Sequence, residues 1–484
     1  MLSTIDLILH SSRNNKEKDH LRQDLNYRKK NVSRLFFTTF LIITILFLFF
    51  GYLHRGWVFG IDAEASYMMA RSLYFDHDFD YRNELSLTPH PDMFEPLIIE
   101  HSGKDRFIFH FPFPLGYALL SQPFFFISNI TTTASNSFFG TSLSADGYKG
   151  LFGFIVPFGT IIYGLIGIYF AYKLLREFYE PSMASLSVNV LLLSSSLLWY
   201  ITGHVTMTHV HSFTVLTILI YLVMPLFKKD CQIISTARYA GIGLFSALAI
   251  LMRLQNAIFL LIPIIGIFMN FYATRSTVLR QNVGLLIKIG VCILSFIIAF
   301  IPQLLYWKVY RGHWFVNPYS DLTDISFYPS QLHVFDTLFS TNHGLFLWNP
   351  ITLISIIGIV LLFFRSKGYL LLLSILSLCF MLNLYIIASY FDFSMANSFG
   401  NRGFDGSTLF FAIGFAEILH RLWFNKIYVG ILCAVLIVWN FQLLLQQRYF
   451  GWLPLSGGVT SYSDVFTNYK KLPEELKRIQ IKYF

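Results

Sequence analysis

The sequence has little charge and little cysteine, and long stretches of it contain neither. Only 13% of its 484 residues are Asp, Glu, Lys or Arg, whereas 55% are hydrophobic and 18% are aromatic. With a mean hydropathy of +0.56, the chain is too apolar for a water-soluble globular protein. This composition excludes a soluble enzyme and predicts an all-α membrane protein with many spans.

The four cysteines are Cys231, Cys292, Cys379 and Cys433. They lie in apolar runs or in a loop that we expect in the cytoplasm. Their spacing fits neither a disulfide framework nor a metal site, so we expect them to be packing residues.

The formal net charge of +9 comes without a motif that combines basic and aromatic residues for nucleic acid. Lys and Arg instead fall mainly between the apolar runs, as in the cytoplasmic turns of membrane proteins. We therefore expect a lipid bilayer as partner and no nucleic acid. The first apolar run follows a basic segment and is long enough to span a membrane, which predicts a signal anchor rather than a cleaved signal peptide.

The basic turns predict a topology. Residues 1–34 form a basic N-terminus in the cytoplasm, residues 35–446 form the transmembrane domain, and the tail 447–484 is external. Two large external loops cover 54–150 and 307–345. Eleven spans are predicted, at 35–53, 151–172, 183–202, 213–227, 239–252, 256–272, 283–306, 346–364, 369–390, 408–420 and 427–446.

Asp62 and Glu64, in the first external loop, are the first acidic residues after the signal anchor. They lie where apolar chain meets water. They either carry out chemistry or cap an interfacial helix, because acidic residues are favoured in a first helical turn. Later in the same loop, the apolar piece 111–128 is interrupted by Pro, and we expect an interfacial helix or a re-entrant segment there.

Arg253 lies with Gln255 and Asn256 between two predicted spans. A charge near hydrocarbon costs several kcal/mol unless it is paired or lines water, so Arg253 is a functional candidate. It either binds a lipid phosphate through its guanidinium fork or extends to the headgroups. His209 and His211, in another external turn, lack a third metal ligand and are better suited to hydrogen bonding with a substrate.

Arg402 lies in the glycine-flanked turn 396–405 between two spans. Glycine lets backbone N–H groups approach an anion closely, and a neighbouring arginine suits phosphate. The same pattern also occurs in ordinary loops. The polar candidates all fall on the external side of the predicted topology, which favours one outward-facing site over a transport path with polar residues at several depths.

Several motifs follow one another in an order that resembles a known superfamily. They are Gly60-Ile-Asp-Ala-Glu64, Tyr67-Met-Met-Ala-Arg-Ser-Leu73, Asp80-Tyr-Arg-Asn-Glu84, Phe113-Pro-Leu-Gly-Tyr-Ala-Leu-Leu120, Ala249-Ile-Leu-Met-Arg-Leu-Gln-Asn256, Leu338-Phe-Ser-Thr-Asn-His-Gly-Leu345 and Ser398-Phe-Gly-Asn-Arg402. Together they resemble the GT-C superfamily of integral-membrane glycosyltransferases, which includes protein mannosyltransferases and the aminoarabinose transferases of lipid A. Size and layout are also similar to the phage-type glucosyltransferases that modify O-antigen.

The resemblance implies many transmembrane helices, with the first external loop packed as interfacial helices over the active site. It implies a polyprenyl-phosphate sugar as donor, with glucose as the candidate sugar. The acceptor would be a hydroxyl of a periplasmic glycan or of a lipid-linked acceptor, such as O-antigen. The implied location is the bacterial inner membrane, with the active site on the periplasmic side.

The resemblance also implies roles for particular residues. Asp62 is the first candidate for the catalytic base, with Glu64 sharing that role or orienting the acceptor. The candidates for binding the donor phosphate are Arg402, Arg253 and Arg71, and those for binding the acceptor or substrate are Tyr67, His209, His343 and Asn401. No residue is predicted as a metal ligand, and family members differ in whether a divalent metal assists, so no cofactor follows with certainty.

Two other classes of function are open at this point. A transporter or lipid flippase should contain repeated halves and spans broken near the middle of the membrane. An O-antigen polymerase or ligase would place its key residues in a large later loop. The most acidic loop here is the first one, which favours the glycosyltransferase.

Overall fold

A computed structural model describes most of the chain. The described residues are 15–53, 56–58, 60–88, 98–100, 107–109, 113–228, 234–274, 279–316, 327–365, 368–395, 398–449, 461–471, 473–474 and 477. Cys231 and most of the tail beyond 449 lie outside this part of the chain, as does much of the segment 89–112.

Helices dominate the structure. In chain order they are α1 Asn15–Leu53, α2 Ile61–Phe75, α3 Arg82–Leu87, α4 Gly116–Phe139, α5 Phe152–Leu175, α6 Pro181–Leu193, α7 Leu197–Thr202, α8 His209–Val223, α9 Thr236–Met252, α10 Leu261–Thr274, α11 Leu279–Arg311, α12 Val334–Phe339, α13 Leu345–Trp348, α14 Pro350–Arg365, α15 Leu370–Ala388, α16 Thr408–Leu422, α17 Lys426–Leu444 and α18 Tyr462–Thr467. Short 3₁₀ segments cover Met224–Phe227, Leu254–Leu260, Arg402–Ser407 and Asn468–Lys471, and a π-helical turn covers Leu445–Tyr449.

One antiparallel strand pair, which the sequence did not predict, lies in the first loop. Strand β1, Ile98–Glu100, pairs with strand β2, Phe107–Phe109, and Ile98 lies opposite Phe109. Apart from this pair and an isolated bridge between Phe327 and Tyr390, the described residues form helices, turns and irregular segments.

Among the described residues, seven helices are long and apolar enough to cross a membrane, and three more apolar helices are shorter. The chain is therefore a multi-pass membrane protein. The seven are Lys30–Gly51, Phe152–Leu175, His209–Phe227, Leu254–Ala273, Val283–Val309, Leu370–Ala388 and Lys426–Arg448, and the shorter three are Pro181–Leu193, Thr236–Met252 and Pro350–Arg365. Many large apolar side chains on α1, α11 and α17 are exposed, as expected for faces that meet lipid.

The predicted span 183–202 is broken in the structure, because α6 ends and α7 begins around three consecutive serines. Ser194 donates its hydroxyl to the carbonyl of Val190 at 2.6 Å. The backbone N–H of Ser196 donates to the side chain of Asn349 at 2.7 Å. Serine hydroxyls compete with the helical hydrogen bonds, and this competition favours a break at such a run.

The apolar piece predicted at 111–128 forms helix α4, which starts later and continues to Phe139. Helix α4 packs against α2 and α5, so it joins the first loop to the helical bundle. Tyr67 and Phe125 belong to a small apolar core between these elements. This core holds α2, and with it the acidic stretch, in a fixed position.

Close packing of α14 and α16 depends on two glycines. A Cβ added to Gly358 would collide with the backbone oxygen of Gly414, and one added to Gly414 would collide with that of Ser355. Helices can approach each other this closely only where no side chain separates them. The three described cysteines, Cys292, Cys379 and Cys433, are buried and unpaired with one another, in accord with the packing role predicted for them.

Candidate functional site

The first turn of helix α2 brings an acidic residue of the first loop to the late glycine-flanked turn. Gly60 precedes the helix with a φ of 85°, which favours glycine over residues with a Cβ. Asp62 follows in the first turn, and its Oδ2 lies 2.8 Å from Nη1 of Arg402. The side chain of Asp62 is 32% exposed, so this ion pair lies at the boundary between buried protein and its surroundings.

Glu64 lies in the same turn of α2 but faces another direction. Successive residues of an α-helix are about 100° apart, so two residues separated by two positions point to nearly opposite faces. Glu64 is fully buried, and its Oε2 accepts a hydrogen bond from the hydroxyl of Thr88 at 2.5 Å. The two carboxylates are neighbours in sequence, but the helix separates their side chains.

Arg402 starts the 3₁₀ segment Arg402–Ser407, and side chains of its own turn support it. The side-chain oxygen of Asn401 accepts from the N–H of Gly403 at 3.3 Å, and its nitrogen donates to the carbonyl of Phe393 at 2.9 Å. Asn401 therefore shapes the turn that presents Arg402.

Arg253 reaches the same turn from the end of helix α9. Its Nη1 donates to the carbonyl of Arg402 at 3.3 Å and lies 2.8 Å from Nδ1 of His209. Gln255 donates to the carbonyl of Gly403 at 2.8 Å. The backbone around Arg402 is thus held by side chains from the α9 turn, and three of the residues predicted from sequence, Arg253, His209 and Arg402, lie together.

Asp405, which the sequence analysis did not single out, completes the cluster. Its Oδ2 lies 2.6 Å from Nδ1 of His209, and its Oδ1 accepts from the hydroxyl of Ser196 at 3.3 Å. Burial raises the pKa of the Asp405 carboxyl to about 7, although Arg253, Ser196 and Arg402 act in the opposite direction. The sequence signal was present, because Asp405 lies in the same turn as Arg402.

Aromatic residues and a further arginine surround this cluster. The ring of Tyr200 lies 4.1 Å from that of His209 between centroids, and its hydroxyl accepts from the N–H of Phe399 at 3.1 Å. The guanidinium of Arg448 lies over Trp199 at 5.0 Å, near enough to Arg402 to interact electrostatically. Arg448 lies two residues beyond the predicted span 427–446, and the sequence analysis did not single it out.

Other predicted site residues make their contacts elsewhere. Tyr67 is buried and donates its hydroxyl to the carbonyl of Gly147 at 2.7 Å. Arg71 forms an ion pair with Asp76 at 2.7 Å, and its Nη1 donates a hydrogen bond to Oε1 of Glu84 at 2.5 Å. Both residues therefore hold the first loop together.

The other two histidines named as candidates, His343 and His211, are also buried. His343 packs against Trp348, with the ring centroids 4.7 Å apart, and His211 packs between the rings of Tyr117 and Tyr163. Within the described ranges, no group of three His, Cys, Asp or Glu side chains could hold a metal ion. The charged group that faces Asp62 is the guanidinium of Arg402, which cannot be a metal ligand.

Comparison with known proteins gives matches among solved structures alone. No protein-family model matches the sequence, and no curated protein matches it significantly. The chain is similar to ArnT from Cupriavidus metallidurans in the apo state, with 14% identity and a TM-score of 0.48 over 87% of this chain and 65% of that one. The same protein bound to undecaprenyl phosphate matches with 13% identity and a TM-score of 0.45, over 86% of this chain and 64% of that one.

An archaeal oligosaccharyltransferase, AglB from Archaeoglobus fulgidus, in complex with an inhibitory peptide and a dolichol-phosphate, matches with 12% identity and a TM-score of 0.43. The match covers 90% of this chain and 57% of that one. The chain spans less than two thirds of the length of each of these proteins. These are similarities of helical membrane architecture, at low sequence identity.

Proposed function

We propose that the protein is a glycosyltransferase that moves a sugar from a polyprenyl-phosphate donor to an acceptor hydroxyl. The observation that carries the proposal is the ion pair between Asp62 and Arg402. The sequence motifs suggested a base in the first loop and a phosphate-binding arginine in a late turn. Their contact supports one site that contains both.

The reaction needs a base for the acceptor and cations for the leaving group. The acceptor oxygen forms a bond with the anomeric carbon of the sugar and loses its proton to the carboxylate of Asp62. The bond between that carbon and the phosphate oxygen breaks, and its electron pair leaves with the polyprenyl phosphate. Arg402 and Arg253 stabilise the negative charge of the departing phosphate.

Asp62 is better suited to the role of base than Glu64. A base must reach a substrate hydroxyl, and the Asp62 side chain is partly exposed, whereas Glu64 is buried and hydrogen-bonded to Thr88. We assign Glu64 to the packing that fixes the orientation of α2. In this role it affects catalysis through the position of Asp62.

Arg402 would exchange partners during the reaction. A guanidinium that pairs with Asp62 in the unliganded protein can bind phosphate as a bidentate donor. When the donor phosphate binds Arg402, the ion pair with Asp62 breaks, and the carboxylate of Asp62 can then accept a proton. Binding of the donor therefore prepares the base.

The finer assignments follow from the sequence motifs. We propose eleven spans in a GT-C-like arrangement, with α6 and α7 together as one of them, in a bacterial inner membrane with the site on the periplasmic side. The proposed acceptor is O-antigen or another cell-surface glycan, with glucose as the candidate sugar. Mass spectrometry of surface polysaccharide from cells with and without the gene would identify the sugar by its mass increment.

Substitution of the two carboxylates tests the mechanism. We expect Asp62→Asn to abolish sugar transfer by purified protein while binding of the donor persists, because only the base is lost. Glu64→Gln keeps the shape and a hydrogen-bond acceptor for Thr88, so we expect it to retain most of the activity. Full turnover by a folded Asp62→Asn variant would refute the assignment of the base, and thermal unfolding of both variants provides the control for folding.

A further inference from the structure

One imidazole nitrogen in the site has two close polar neighbours. Nδ1 of His209 lies 2.6 Å from Oδ2 of Asp405 and 2.8 Å from Nη1 of Arg253. His209 and Asp405 are both buried. Water therefore has little access to this contact, so its protonation state depends on these three groups.

The imidazole nitrogen can carry either a proton or a lone pair. With a proton it donates to the Asp405 carboxylate, and Arg253 must then direct Nη1 to another acceptor. With a lone pair it accepts from Arg253, and an ionised Asp405 carboxylate 2.6 Å away would then repel that lone pair, which favours protonation of the carboxyl. The protonation state of Asp405 and His209 thus decides the partner of Arg253.

The protonation state of Asp405 also sets the net charge of the cluster. Two guanidinium groups, Arg253 and Arg402, lie with two carboxylates, Asp62 and Asp405. The charges of these four groups cancel when Asp405 is ionised, and one positive charge remains when it is protonated; the neighbouring Arg448 adds one positive charge in both states. A phosphodiester carries one negative charge, so it complements the protonated form.

We propose that Asp405 is a positioning residue for phosphate binding, which sets the charge of the cluster and the hydrogen-bond partner of Arg253 through its own protonation beside His209. This inference rests on the proposed function, because it takes the bound anion to be the phosphate of the donor. Asp405 itself makes no contact with the sugar or the acceptor in this mechanism.

The surroundings of Asp405 set the pH range. The charged or titratable groups that face it are Tyr200 from α7, His209 from α8, Arg253 from the end of α9 and Arg402 from its own turn, and Ser196 donates a hydrogen bond. Burial raises the pKa of Asp405 to about 7 against the effect of the two arginines and the serine. Below this pH the cluster carries one more positive charge and favours the phosphate, and above it the carboxylate competes for the arginines.

Equilibrium binding of a lipid phosphodiester to the full-length protein in detergent tests this inference. The probe is a methyl ester of polyprenyl phosphate, whose single charge is constant over the pH range used. We expect the Kd of the unmodified protein to rise about tenfold between about pH 5.5 and about pH 8.5, the effect of one charge about 12 Å from the phosphate at an effective dielectric constant of about 20. Asp405→Asn removes the titrating group, so its Kd should be constant.

Asp336→Asn is the matched control. Asp336 is half-exposed and lies 3.3 Å from Nδ1 of His333, so it forms the same type of pair away from the site. We expect this variant to show the pH dependence of the unmodified protein. A pH dependence that persists unchanged in Asp405→Asn would overturn the inference.

Ser196→Ala provides a second test that does not depend on the folding of Asp405→Asn. Its hydroxyl donates to the carboxylate and lowers the pKa of Asp405. Loss of this hydrogen bond should move the midpoint of the Kd profile to higher pH, and an unchanged or lowered midpoint would contradict the inference. If the unmodified protein binds no probe at any pH, the proposed function fails, a result distinct from binding without pH dependence.

Discussion

Replacement of Arg402 by Ala should impair the enzyme much more than it impairs folding. The pair with Asp62 is 2.8 Å long, but the aspartate side chain is 32% exposed. Partly exposed pairs contribute about 1 kcal/mol or less to stability, because water screens them and also solvates the partner that remains. We therefore expect a loss of about 1 kcal/mol in the free energy of unfolding.

The expected effect on transfer is larger. Charge-assisted hydrogen bonds to a phosphate contribute about 1.5–3 kcal/mol each, and Ala removes both donors of the guanidinium fork. A loss of about 2.7 kcal/mol in transition-state stabilisation lowers kcat/KM for the donor by about a hundredfold. Arg402→Lys keeps the charge but not the fork, so we expect a loss of about tenfold for this variant.

The assay measures initial rates of sugar transfer by purified protein at varied donor concentration, together with thermal unfolding. Arg82→Ala is the control. Arg82 lies in the first loop, as does Asp62, pairs with Asp80 at 2.5 Å and is half-exposed. It should alter neither kcat/KM nor stability by much. A folded Arg402→Ala variant with a kcat/KM within about threefold of the unmodified protein would refute the role of Arg402, because about 0.6 kcal/mol is too little for a phosphate contact.

Two further predictions concern stability. Burial raises the pKa of Glu84 to about 8, although Arg71 opposes the shift, so folding favours the protonated form. The stability that this preference provides is complete below the unfolded pKa, near 4.5, and is lost as the pH rises through about 8. Glu84→Gln should therefore flatten this part of the pH profile of thermal unfolding. An unchanged profile in this variant would contradict the prediction. Gly358→Ala should destabilise the protein by about 1–3 kcal/mol in chemical unfolding, because its Cβ would collide with Gly414. Gly430→Ala, where the Cβ meets no atom within 4 Å, is the matched control and should be neutral or stabilising by up to about 1 kcal/mol.

The helices could be predicted from the sequence because the apolar runs are long and the basic turns are regular. Each predicted span contains a helix in the structure. The breaks inside helices were harder to predict, as the interruption near Ser194 shows. Hydropathy averages over a window, and a hydroxyl bonded to the carbonyl of Val190 changes the local geometry without changing that average.

The candidate site was predictable where a charge lies in an unusual place. Arg253 and Arg402 were noticeable because charged residues are costly beside apolar spans, and the structure brings both to one turn. Asp405 lies in the same turn as Arg402 but was not singled out, because an aspartate in a glycine-rich turn is common and its burial depends on helices distant in sequence. Arg71 was also a candidate, but its guanidinium contacts Asp76 and Glu84 in the first loop.

The position of Arg402 between Asp62 and the proposed phosphate couples two requirements of the reaction. A base held by a guanidinium is a poor base, and an arginine held by a carboxylate has fewer donors for phosphate. Both constraints are relieved by one event, the transfer of Arg402 from Asp62 to the donor. In the proposed mechanism Asp405 acts on the same exchange, because its protonation changes how strongly Arg253 and Arg402 attract an anion. The acceptor would therefore meet an active base only after the donor is bound, which limits unproductive reaction in the absence of donor.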